Sequence, residues 1–262
     1  MIISAHQSHF LPWLGYLDKI RRSDVFVVLD HVQFERQNYQ NRNRIKTRAG
    51  AAWLSVPVRQ RSRAELICDK EIENAPDGSI TWGERMVRTL DHAYSRAPYY
   101  GQYRPFLADV LTRPWHRLVE LNDVLLRYFL DQLEISTPIV YSTSLCGLQG
   151  ARADMMVNLC QILGADTYLA GGGGSRSYID AEMFEAAGLR VAWQTFEHPV
   201  YPQLRPPEAF LPQLAVVDLL FNCGSASASV LRGERAPSPS RPQATRAVHA
   251  REEPRADVRA AE

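Results

Sequence analysis

A chain of 262 residues, 45% apolar and 23% charged, is long enough to bury a sizeable α/β core and has the balance of a globular protein. Its net charge of +1 gives no bulk attraction to nucleic acid or to an anionic membrane. Four widely spaced cysteines (Cys68, Cys146, Cys160 and Cys223) exclude a zinc cluster and a disulfide scaffold; with no signal-peptide pattern and no apolar run long enough to span a bilayer, a cytoplasmic protein is expected.

The first stretch sets the pattern. Met1 to Ala5 is an apolar run, His6 to Pro12 a polar-aromatic bend, and the spacing after it predicts a short helix over Trp13 to Arg22. A second run, Val25 to Leu29, ends at Asp30. Two β-branched-rich runs joined through a helix are the pattern of a parallel βαβ unit. Such units gather their functional groups past the carboxyl ends of the strands, where His6, Gln7, His9, Asp30 and Gln33 stand. Glu35 to Lys46 is polar and basic with little apolar periodicity, which predicts a loop or a frayed helix. Trp53 to Val58 reads as a strand and Leu66 to Ile72 as a weaker one.

From Trp82 the period turns helical. Met86, Val87, Leu90 and Tyr94 share one face, a second helix follows Pro98 as far as Leu111, and a third, Leu118 to Leu133, is apolar nearly all round. Together they predict a helical insertion over about residues 80–134. Alternation then resumes: a strand at Pro138 to Tyr141, a helix from Ala151 to Leu163 stopped by Gly164, a strand at Thr167 to Ala170. A glycine-rich loop, Gly171 to Arg176, leads to a helix from Ile179 to Ala187, a strand from Leu189 to Phe196 and an apolar helix from Leu214 to Phe221. The expected fold is a single α/β domain over residues 1–232 on a mainly parallel, Rossmann-like sheet. Residues 233–262 are rich in Pro, Ser, Arg, Ala and Glu, which predicts a disordered tail.

Several side chains carry chemistry that packing does not require. His6 and His9 could act as bases, phosphate donors or metal ligands, or simply cap a strand and face solvent. Asp30 and Gln33 could orient a histidine or bind a hydroxyl or amine; an ordinary Asp turn is the plainer alternative. Asn41, Arg42 and Arg44 offer planar donors for phosphate or carboxylate, or form a solvated face. Gly173, Ser175 and Arg176 belong to a loop whose N–H groups could cradle an anion, although its spacing matches neither a P-loop nor a dinucleotide fingerprint. His198 sits between Glu197 and Pro199 at a strand end, where Pro199 and Pro202 fix the backbone.

These pieces resemble the WbqC-like protein family. The resemblance rests on His6-Gln7, Pro12 to Ile20, Ser23 to Phe26, Leu29 to Phe34, Gln40 to Lys46, Trp53 to Val58, His198 to Gln203 and Asp218 to Asn222, and it spans about Met1 to Gly224. Ser8-His9 departs from the family pattern. The resemblance implies a role in O-antigen or other glycan synthesis, or in natural-product biosynthesis, through transfer of an acyl or aminoacyl group to an amine. On this reading His6, oriented by Asp30 or Gln33, is the base and His198 its alternative. Gln7, Asn41, Arg42, Arg44 and the Gly171–Arg176 loop then hold the phosphates of an acyl thioester donor or sugar nucleotide. Two rivals stand beside it: nucleotidyl or phosphoryl transfer using ATP with magnesium, and a non-enzymatic module that binds a ligand or a carrier protein. A weaker similarity, to the His-x-Gly-His nucleotidylyltransferases, lacks the histidine after glycine, because Tyr16 follows Gly15. No resident metal is expected on the leading reading.

Overall fold

The computed structural model describes residues 1–76, 78–204 and 210–234. Along the chain run β1 (Ile2–Gln7), α1 (Leu14–Arg21), β2 (Val25–Leu29), β3 (Arg42–Thr47), β4 (Gly50–Ser55), α2 (Trp82–Tyr94), α3 (Tyr100–Thr112) and α4 (Leu118–Gln132). There follow β5 (Ile139–Tyr141), α5 (Arg152–Leu163), β6 (Thr167–Ala170), α6 (Ala181–Ala186), β7 (Arg190–Trp193), α7 (Val216–Cys223) and α8 (Ser227–Leu231). Five strands form one parallel sheet in the order β5-β2-β1-β6-β7, so the chain winds outward from β1 in one direction and from β6 in the other. That is the α/β, Rossmann-like architecture expected, with its switch point between β1 and β6.

The alternation of side chains explains how both faces of the sheet are covered. Ile3, Ala5, Val27 and Leu29 pack with Met156 and Leu159 of α5 and Phe184 of α6. Phe26 and Val28 point the other way, into a larger core with Tyr16 and Leu17 of α1 and Leu121, Leu125 and Phe129 of α4. The expected helical insertion is present as α2, α3 and α4, consecutive between β4 and β5. A capping box starts α2: Thr81 Oγ1 accepts from Glu84 N at 3.2 Å, and Glu84 Oε2 accepts from Thr81 N at 2.8 Å. Gly164, at φ +66°, ends α5 as expected.

Three elements differ from the expectation. The basic stretch after Glu35 contains a strand: Arg42–Thr47 pairs antiparallel with Gly50–Ser55. Its alternation was masked because one inward side chain is Asn43, whose Nδ2 donates to the Leu11 carbonyl at 2.6 Å. The strand predicted over Trp53 to Val58 is accordingly shifted, to Gly50–Ser55. Leu66 to Ile72 forms only isolated bridges, Gln33↔Leu66, Val58↔Ile72 and Glu71↔Arg117, around a 3-10 turn. The predicted tail lies outside the described residues from 235 onward.

Candidate functional site: the crevice between β1 and β6

β1 and β2 pair over five register positions, from Ile3↔Val25 to Gln7↔Leu29, and β6 and β7 over four. β1 and β6 pair at two, Ile2↔Thr167 and Ile3↔Tyr168. Beyond that pairing a cavity of about 980 Å³ opens at the carboxyl ends, the place where ligands bind in open α/β sheets. One half of the sheet supplies His6 and Gln7 from β1 and Tyr16 and Lys19 from α1. The other supplies Gly171 to Arg176 after β6, Arg152 from the start of α5, and Gln194 to His198 after β7, Glu197 excepted.

His6 stands in an aromatic cluster, its ring 4.6 Å from His9 and 5.2 Å from Tyr16, with Nδ1 3.3 Å from the Gln7 carbonyl. Burial, reinforced by Lys19, lowers the pKa of His6 to about 3, so its imidazole is neutral. His9 stacks on Tyr16 at 4.7 Å and is 5% exposed, yet neither of its ring nitrogens has a partner among the described residues. Burial also keeps His9 uncharged. The Tyr16 hydroxyl is likewise buried and unpartnered, and desolvation raises its pKa. Lys19 completes the group: its Nζ donates to the Ala5 carbonyl at 2.9 Å, and desolvation lowers its pKa to about 7.

The glycine loop turns through a 3-10 segment, Gly174–Ser177, and exposes Arg176, whose guanidinium lies 4.8 Å from the Trp193 ring. Ser175 Oγ is 3.2 Å from the Tyr178 hydroxyl. A Cβ on Gly172 would meet the Gln194 carbonyl at 2.8 Å, so close backbone approach fixes glycine there. Gln194 in turn donates to the Gly15 carbonyl at 2.9 Å and to Asp18 at 3.0 Å, fastening the chain after β7 across α1. His198 lines this wall; Nδ1 is 3.0 Å from the Pro199 carbonyl, Nε2 is buried without a partner, and burial lowers its pKa. Gly15 serves packing: the space a Cβ would need is filled by the Trp13 ring, 2.2 Å away.

The cavity therefore gathers His6, Gln7, Gly173, Ser175, Arg176 and His198, and five other predicted residues lie elsewhere. The Asp30 carboxylate accepts from Ser142 Oγ at 2.8 Å, Thr143 N at 2.9 Å and Thr143 Oγ1 at 2.7 Å, tying the end of β2 to the turn after β5. It is thus engaged away from His6. Gln33 is exposed and donates to the Arg63 carbonyl at 2.6 Å. Asn41 donates to the Val56 carbonyl at 2.8 Å. Arg42 donates to the Gln37 carbonyl and lies 4.2 Å from the Trp53 ring, an arrangement that holds the β3–β4 hairpin. Arg44 reaches the Gln213 carbonyl at 3.4 Å, which places it behind the cavity wall.

Sequence reasoning missed Lys19, Tyr16, Arg152 and Gln194. For Lys19 a signal was available in the scarcity of lysine, which numbers three in the whole chain. Among the described residues no three His, Cys, Asp or Glu side chains form a metal-holding group, and no helix is long and apolar enough to cross a membrane.

The model of the WbqC-like protein family matches residues 7–230 of the chain. The chain is also similar to Uncharacterized protein Rv1507c of Mycobacterium tuberculosis (strain ATCC 25618 / H37Rv), at 34% identity over 228 residues that cover 86% of this chain and 95% of that protein. No solved structure matches it.

Proposed function

The chain belongs to the WbqC-like protein family, and from that premise we propose that it joins an activated acyl or aminoacyl group to an amine, such as an amino sugar or a metabolite, inside the β1–β6 crevice. The observation that carries this reading is the pairing of two kinds of wall around one cavity. Arg152, Arg176 and the N–H groups of the glycine loop are suited to the phosphates of a thioester carrier such as coenzyme A. Facing into the same space are the neutral imidazole of His6, Lys19, whose pKa desolvation lowers to about 7, and the half-buried His198. Amide formation needs both an anchor for the donor and a proton acceptor for the attacking nitrogen.

His6 is neutral but weakly basic, so its fitting role is to align the acceptor nitrogen by a hydrogen bond. His198 can do the same from the opposite wall through its free Nε2. Asp30, Gln33, Asn41, Arg42 and Arg44 support the frame around the cavity.

The test is a thermal-shift screen with acyl-coenzyme A thioesters, ATP and sugar nucleotides, followed by mass spectrometry for an amide after incubating stabilising donors with amines. Amide formation with release of free thiol supports the reading. A switch-point crevice is also where nucleotides bind, so pyrophosphate release with ATP and magnesium would favour nucleotidyl transfer instead.

A further inference from the structure

Of the thirty lysine and arginine side chains, three are lysine, and all three are buried: Lys19, Lys46 and Lys70 are 2%, 4% and 0% exposed. The chain uses arginine for its surface cations and keeps lysine for its interior. Two of the three have evident partners. Lys70 pairs with Glu65 at 2.7 Å, and Lys46 reaches Gln203 Oε1 at 3.2 Å beside the buried Asp218 carboxylate.

Lys19 has none of this. Its Nζ donates to the Ala5 carbonyl, lies 5.9 Å from the Tyr168 ring and lines the cavity, and it pairs with no carboxylate among the described residues. A desolvated ammonium without a counter-charge is disfavoured against the free amine, and an arginine could not make that exchange because it does not give up its proton. Of the titratable groups that line the cavity with Lys19, Glu35 is the acidic one, and it is engaged by Gln7 Nε2 at 3.2 Å. His6 from β1 and His9 from the bend are neutral, Tyr16 on the same helix and Tyr168 from β6 stay protonated, and the cavity's other lining charges include Arg152, Arg176 and Glu35. Desolvation alone accounts for a pKa near 7 at Lys19. The Tyr16 hydroxyl, which lines the same cavity, is buried with no partner among the described residues and is left to meet a polar group of a ligand.

We propose that Lys19 is the catalytic base of the cavity, a role that rests on the acyl-transfer reading: its free Nζ takes the proton from the acceptor nitrogen as that nitrogen bonds to the acyl carbon. The C–S bond of the thioester breaks, sulfur leaves with the electron pair, and the proton held on Nζ passes to it. Amide and free thiol are the products, and Lys19 returns to a free amine.

With three lysines and one N-terminus, carbon-13 reductive methylation of the full-length protein reads each amine separately by NMR. We expect a Lys19 signal, absent in Lys19→Met, that titrates near neutrality. A Lys19 that stays protonated above about pH 9, as an ordinary lysine does, or that resists modification in the native protein, overturns the assignment. In turnover with acyl-coenzyme A thioesters and glucosamine, Lys19→Met and Lys19→Arg are expected to lower kcat by about 100-fold or more with KM near that of the parent. Lys19→Arg keeps a donor for the Ala5 carbonyl, and melting curves of both variants separate lost chemistry from lost fold. Variants with the parent's kcat and pH profile overturn the base while leaving transfer standing. Failure of every thioester–amine pair with the parent protein overturns transfer, and the base role with it.

Discussion

The hydroxyl of Tyr94 donates to the buried carboxylate of Asp218 at 2.7 Å and accepts from the Lys46 backbone N–H at 2.9 Å, joining α2, α7 and β3 at one oxygen. Tyr201 and Gln203 add donors to the other carboxylate oxygen, at 2.9 and 3.0 Å. Tyr94→Phe removes one donor and leaves the Lys46 N–H unpaired in the interior, so it is expected to cost about 1–3 kcal/mol. Urea unfolding of the variant against the parent checks this. An unchanged midpoint would show that the helices do not depend on this junction.

The histidines of the crevice give stability a pH dependence of definite sign. Burial lowers the pKa of His6 from 6.5 to about 3, so the unfolded chain binds its proton more readily than the folded one. Its contribution is full above the unfolded value of 6.5 and is lost as pH falls toward about 3. Urea midpoints across that window should therefore fall more steeply for the parent than for His6→Asn. Parallel curves would place the acid sensitivity elsewhere.

Asp30 offers a direct separation of scaffold from chemistry. Its carboxylate accepts three hydrogen bonds from Ser142 and Thr143 and takes none from His6. Asp30→Asn is expected to lower stability by about 1.5–3 kcal/mol, the scale of bonds to a charged group, while ligand affinity in the cavity stays close to that of the parent. Paired melting and coenzyme A titrations decide it, and a selective loss of affinity at unchanged stability would return Asp30 to the site.

Gly172 is held against the Gln194 carbonyl, and a methyl group there has no room because the obstacle is backbone. Gly172→Ala should push the loop from its seat and weaken phosphate-bearing ligands at least about tenfold, a loss of roughly 1.4 kcal/mol. Calorimetric titration with coenzyme A measures it. Gly101→Ala, in α3 and outside the cavity lining, meets nothing within 4 Å and should bind as the parent does.

The sheet was legible in the sequence because its central strands are buried on both faces and read as unbroken apolar runs, Val25 to Leu29 most clearly. The cavity's His6 and glycine loop were legible for a related reason: they follow directly on such runs. β3 was hidden because Asn43 takes an inward position that an apolar residue normally fills. The two arginines beside it looked like a phosphate site, yet Arg42 caps the Trp53 ring and Arg44 lies behind the wall. Arg152 and Arg176, more than a hundred residues further along the chain, occupy the cavity instead; only the crossover from β5 past β2 and β1 to β6 brings them there. Lys19 went unread because a single lysine in a helix looks solvated until its burial is known.

The brevity of the β1–β6 pairing has a mechanical meaning. Two ladder positions stitch together halves whose own strand pairs run over three to five, so the sheet is least reinforced along the line where a guest would sit. Any compound gripping His6 on one bank and Arg176 on the other acts as a rivet across that seam, and occupancy should slow hydrogen exchange at Ser4 and Leu169 more than at the outer strands.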